Sequence, residues 1–248
     1  MTTGRFQQIY CGPAPAPEAL WRSWNLDPAL LAVLAFLAVA FLARRRGRLS
    51  KDDAPAMLGF ATLVVAFVSP LCAWTSALFA ARVVHHALLL LVAAPLLAKS
   101  WRAGRSSGLG LAGVAVLHAL VLWIWHAPAP YAWALSSDAG YWLMQLSLLA
   151  SAVMFWRAIL AASALTAAMG LVFAMAQMGL LGALITLAPE AVYAPHFATT
   201  LAWGLTALED QQLAGLIMWA PMAGLYLLVA LVRLLPALSE APASQPSR

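Results

Sequence analysis

Long apolar runs separated by short polar links dominate the chain. Runs able to cross ~30 Å of hydrocarbon fall at roughly 28–43, 56–78, 83–98, 109–126, 141–160, 165–188 and 212–235. No period-2 alternation breaks them, so the pattern predicts an all-α, polytopic membrane helix bundle of about seven transmembrane helices. The links that interrupt the runs carry Pro, Gly, Ser and charge. Three segments follow: an N-terminal arm over 1–27, a transmembrane domain over 28–235 and a disordered tail over 236–248 rich in Ser, Pro and Ala.

Composition agrees with lipid as the main solvent. The chain has 248 residues, 64% of them hydrophobic and 9% charged. A soluble domain carries about a quarter charged residues, so this chain cannot cover a water-facing surface. The first thirty residues lack an apolar core after a basic start, so the first span reads as a signal anchor rather than a cleaved leader.

Charge sets the expected orientation. Arg44, Arg45, Arg46, Arg48, Lys51, Lys99, Arg102, Arg105, Arg157, Arg233 and Arg248 fall on one side of the alternation, and Arg5, Arg22 and Arg82 on the other. The positive-inside rule places the first group in the cytoplasm, the N-terminus outside and the C-terminus inside. The net charge of +5 is thus topological, with no extended basic face to bind nucleic acid.

Against that frame the histidines are unevenly placed. His85, His86, His126 and His196 fall at or beyond the expected outer ends of spans, and His118 lies two turns deeper on the fourth. Imidazole is the commonest side-chain ligand for copper, iron and zinc, and thioethers suit Cu(I). Met175 and Met178 are spaced i, i+3, and Met218 and Met222 i, i+4, so each pair shares a helix face. The plainer reading is that such His hydrogen-bond backbone or headgroups and that Met fills gaps in packing.

Other polar groups narrow the classes of function. Glu209 and Asp210 open the last span, where carboxylates meet the positive end of a helix; capping accounts for them, and orienting nearby His is the alternative. Cys11 and Cys72 both fall on the outer side, compatible with a disulfide, a transient copper ligand or two unrelated thiols. No Asp or Glu lies mid-span, against a proton-coupled pump, and Lys51 and Lys99 both sit in links, which excludes a retinal Schiff base. No Ser/His/Asp, Cys/His or paired-carboxylate arrangement has catalytic spacing, so a non-enzymatic role is expected.

Several strings, in order, resemble the polytopic CtaG-type cytochrome c oxidase assembly factor family. They are WNLDP (24–28), VVHHALLLLVAAPLLA (83–98), WHAPAPYAWAL (125–135), FW (155–156), QMGLLGALITLAPEAVYAPH (177–196) and LEDQQLAGLIMW (208–219). The resemblance implies about seven spans in a bacterial inner membrane and a role in maturing haem–copper oxidases through copper supply or insertion. Oxidase subunits or other assembly factors are the partners it implies. It also implies that His86, His126, Asp210 and Gln211 occupy motif positions. Many members carry His where this chain has Arg82, and a His pair where it has Tyr141 and Gln145.

The expected site is therefore copper held by His85, His86, His126, His196 and His118, with Glu209, Asp210, Gln211, Met178, Met218, Cys11 and Cys72 as accessory groups. Two rivals remain: a transporter for a metal ion or small solute, which needs a polar path to the cytoplasm, and a redox protein binding haem or quinone through two His.

Overall fold

The structure, a computed structural model, describes residues 10–100 and 109–239. Arg5, Arg102, Arg105, Arg248 and residues 240–248 of the expected tail lie outside the described residues, and its first four residues, 236–239, continue the last helix instead of being disordered. Everything regular within them is helical. The helices are α1 (Pro28–Arg44), α2 (Ala54–Val68), α3 (Pro70–Ala77), α4 (Phe79–Ala87), α5 (Ala94–Ser100), α6 (Leu111–His126), α7 (Pro128–Ala134), α8 (Asp138–Ala161), α9 (Ala164–Leu187), α10 (Ala207–Ile217) and α11 (Ala223–Ser239).

Four continuous helices are long and apolar enough to cross a membrane: Phe79–Ser100, Asp138–Ala161, Ala164–Leu187 and Ala207–Leu235. Counting each bent pair as one span raises the number to six; α2 and α3 meet at 50°, and α6 and α7 at 78°. The remaining apolar helix, α1, has 17 residues, about 25 Å of rise.

Proline explains where the runs break. The run 56–78 does not stay straight, because Pro70 opens α3 and Ser69, held in an extended conformation, cannot continue α2. Pro128 does the same between α6 and α7. The carbonyls left at the end of α2 are taken by the N-terminal arm: Asn25 donates its backbone N–H to Val68 O at 3.0 Å and its amide to Phe67 O at 3.1 Å. Two residues on, Asp27 caps α1 by accepting from the Leu30 N–H at 2.9 Å, with Pro28 at the first helical position. The WNLDP string is thus a clasp between arm and bundle.

Inside the two longest broken-register spans, π-turns separate α4 from α5 (Leu88–Ala93) and α10 from α11 (Met218–Met222). Pro221 accounts for the second, since it has no N–H to give. In the first, Ala94 N–H reaches back five residues to Leu89 O, and the next such bond, from Pro95 to Leu90 O, cannot form. The Trp156 indole fills that gap, donating to Leu90 O at 2.8 Å from α8.

α9 and α10 approach closely through glycine. A Cβ on Gly182 would lie 2.7 Å from Gly215 O, and one on Gly215 would lie 2.6 Å from Gly182 O and strike the Thr186 hydroxyl. Only glycine lets these backbones touch, as small residues do where helices pack in lipid. The contact brings α10, and with it Asp210, hard against the rest of the bundle.

Candidate functional site

Buried polar side chains gather at one end of the bundle, where α4 and α10 begin and α6 ends. Its frame is built from Asp210, which is 1% exposed. Asp210 Oδ2 accepts from the Phe79 N–H at 2.7 Å and Oδ1 from the Ala80 N–H at 3.0 Å, so a carboxylate on α10 caps α4 across the bundle. Gln211 works beside it on the chain leading into α10. Its Oε1 accepts from Val192 N–H at 2.8 Å, and its amide N–H groups donate to Ile185 O and Glu190 O, each at 3.2 Å. Glu209 closes a capping box with Thr206, accepting from the Thr206 N–H at 2.7 Å while Thr206 Oγ1 accepts from Glu209 N–H at 3.2 Å. Every carboxylate and amide of LEDQ therefore holds backbone.

The link from 188 to 206 folds over this end. The Tyr193 hydroxyl donates to His126 O at 2.7 Å, and its ring stacks on Phe79 with centroids 3.7 Å apart. The Thr199 hydroxyl donates to Ala77 O at 2.6 Å. His196 is buried under the same link and pairs with the Tyr131 hydroxyl, 2.7 Å from Nε2. Burial first, and the Arg82 charge second, push the His196 imidazole from 6.5 down to about 3, so it is neutral at ordinary pH. The hydrogen bond with the Tyr131 hydroxyl commits Nε2 in either tautomer.

Three imidazoles stand in a row behind this cover. The rings of His85 and His86 have centroids 5.9 Å apart, and those of His86 and His126 5.5 Å apart at 77°. All three are buried. His126 Nδ1 lies 2.8 Å from Leu122 O and must donate to it, which leaves the lone pair on Nε2. Neither nitrogen of His86 has a hydrogen-bond partner within the protein, whereas His85 lies against the Ala66 backbone. His85 packs edge-on against Phe67, with centroids 5.1 Å apart. His118 lies elsewhere, on the α8 side of α6, with Nδ1 3.0 Å from Ser151 Oγ. Among the described residues, no three His, Cys, Asp or Glu side chains are grouped to hold a metal ion. The geometry offers a pair, His86 and His126, with His85 as neighbour.

Arg82 is the residue that sequence reasoning placed differently. Counted as a charge in an outer link, it instead sits inside α4 and is fully buried. Its Nη2 donates to Thr75 O at 3.2 Å, and its guanidinium lies 5.3 Å from the Tyr141 ring centre. The i, i+4 spacing from Arg82 to His86 was the available signal, since it puts both on one face of the helix.

Cys11 and Cys72 form a disulfide, with Cα atoms 5.3 Å apart, that ties the arm to α3 beside Tyr141. Of the open readings of these two cysteines, the structure contains the disulfide. Met178 and Met218 are both buried. Met178 shares a small cavity with His118, and Met218 packs on Gly182 at the α9–α10 contact.

Comparison with known proteins gives one match: residues 112–239 fit the model of the cytochrome c oxidase caa3 assembly factor family, Caa3_CtaG. No curated protein and no solved structure matches the chain. The matched stretch spans α6 to α11, slightly over half the chain, and contains His126, Tyr131, Tyr193, His196 and the whole LEDQ brace. The chain belongs to the cytochrome c oxidase caa3 assembly factor family.

Proposed function

We propose that this assembly factor carries copper(I) for the oxidase, held between His86 and His126 at the outer face of the membrane. The observation that carries the reading is the facing pair itself. A buried imidazole without a hydrogen-bond partner loses about 1–3 kcal/mol per orphaned group, so a protein keeps one where a ligand compensates it. Two imidazole nitrogens on one ion, each about 2 Å from it, stand roughly 4 Å apart; rings with centroids at 5.5 Å can present lone pairs at that separation. Two neutral donors suit a monovalent soft ion better than a divalent one, and the buried Arg82 charge nearby disfavours the divalent ion further.

The outer placement rests on two independent supports. Arg44, Arg45, Arg46 and Arg48 lie at the opposite end of α1 from Asp27, and such charges are retained in the cytoplasm. The Cys11–Cys72 disulfide sits at the histidine end, and disulfides form where the compartment is oxidising. Taking α1 as a short span and each bent pair as one gives seven crossings in a bacterial inner membrane, with the N-terminus outside.

Cu(I) content of the detergent-purified protein, measured by mass spectrometry beside a His86→Ala, His126→Ala variant, tests the reading. Copper bound by the wild type and lost from the variant supports it. Equal copper in both forms removes the pair from the site. Deleting the gene is expected to lower oxidase activity and leave haem synthesis intact.

A further inference from the structure

The cavity beside His118 is another place where buried polar atoms lack partners. It is lined by Ala115, His118, Leu122, Met178, Gln177 and Tyr226 among others, between α6, α9 and α11. His118 is 3% exposed, Met178 1% and Tyr226 1%. The tautomer of His118 follows from its neighbour. Ser151 Oγ donates to Leu148 O at 3.1 Å, so it accepts from His118 Nδ1–H at 3.0 Å, and Nε2 keeps its lone pair. That Nε2 has no partner within the protein, and neither has the Tyr226 hydroxyl. A hydrogen bond that fixes one ring nitrogen and frees the other is the arrangement that orients a metal-ligating histidine. Met178, a thioether-bearing residue, stands on the same lining. The Phe155 ring, stacked on His118 with centroids 5.4 Å apart, holds the imidazole in place.

We infer that His118 Nε2 and Met178 Sδ form a second copper(I) site inside the membrane, separate from the His86–His126 pair. The ligand chemistry selects the ion. One imidazole nitrogen and one thioether sulfur, both neutral, in an apolar cavity of about single-ion size, match a soft monovalent cation and no hard divalent one. Tyr226, whose hydroxyl has no partner in the protein, stands on the third wall. His118 precedes His126 by eight residues on α6, about 12 Å along the helix, so the two sites form an inner and an outer station on one element. The identity of the ion rests on the copper reading above; the existence of the site rests on the cavity.

A factorial metal-loading experiment on the full chain separates the two. The wild type, His86→Ala/His126→Ala, Met178→Leu and His118→Gln/Met178→Leu forms are loaded with Cu(I), checked for a monodisperse elution profile, and measured for copper content and for sulfur scattering by X-ray absorption. The expected result is about two equivalents in the wild type and about one in each double variant. Sulfur scattering then persists in the His86→Ala/His126→Ala form and disappears in Met178→Leu, whose near-isosteric side chain preserves packing. Unchanged copper and sulfur scattering in Met178→Leu and His118→Gln/Met178→Leu would overturn the inner site and assign the cavity to water. Loss of all copper from the His86→Ala/His126→Ala form would overturn it equally. Full retention in that form with loss from His118→Gln/Met178→Leu would instead overturn the outer pair and leave the inner site standing.

Discussion

The Asp210–Gln211 brace and the His85–His86–His126 row are equally buried and lie at the same end of the bundle, yet their hydrogen bonding is opposite. Both oxygens of Asp210 and both ends of the Gln211 amide are bonded to backbone. Both nitrogens of His86 are bonded to nothing in the protein. A saturated polar group in a membrane bundle stabilises the fold, because its removal exposes backbone amides that no water can reach. An unsaturated one costs stability and is retained for what it binds. The contrast divides the motif residues into those that build the site and those that act in it.

The largest effect that would break this division is Asp210→Ala. It leaves the Phe79 and Ala80 amides open at the start of α4, and a loss of about 3 kcal/mol or more is expected, read as a lower Tm or poor recovery from detergent. A wild-type Tm for that variant would end the bracing role. Gly215→Ala follows, at about 1–3 kcal/mol, because its methyl meets Gly182 O and the Thr186 hydroxyl and pushes α10 off α9.

His196 gives the next step, through pH. Its folded pKa is depressed, so the folded state resists a proton that the unfolded chain takes up near 6.5. The contribution is fully present above 6.5 and is lost as pH falls toward 3. Between pH 6.5 and 5 the wild type should lose about 2 kcal/mol more than His196→Gln does, a difference that paired denaturation curves at the two pH values measure. Parallel pH dependence in the two proteins would refute it. Smallest of all should be His86→Leu, whose stability is expected to stay within about 1 kcal/mol of wild type or to rise, because a buried unpaired imidazole is replaced by an apolar side chain. A collapse of that variant would place His86 with the brace rather than with the site.

What sequence could and could not supply follows the range of the interactions. Apolar runs locate the helices within a few residues, since span length is set by the bilayer and read locally. Glu209 was readable as a cap because its partner, Thr206, is three residues away. Asp210 was expected to cap its own helix and instead caps α4, because its partners lie 131 and 130 residues away and no local rule couples them. Pro70 and Pro128 signalled breaks, but the angles of 50° and 78° come from packing. The histidines were legible as a group and the resemblance singled out His86 and His126, but the 5.5 Å approach of their rings is a tertiary fact. Arg82 was misplaced because a charge beside a short link reads as topology, whereas burial against Tyr141 is a tertiary fact.

The long reach of Asp210 also orders the events of biosynthesis. A ribosome delivers α4 well before α10, and during that interval the amides of Phe79 and Ala80 have no carboxylate to meet. The carboxylate that caps the first turn of α4 arrives only with the last hydrophobic segment, which packs through Gly215 against Gly182. His85 and His86, one to two turns further along α4, inherit that timing. A product lacking residues 207–239 would lack the carboxylate that accepts from the Phe79 and Ala80 amides at the start of the helix that carries His85 and His86.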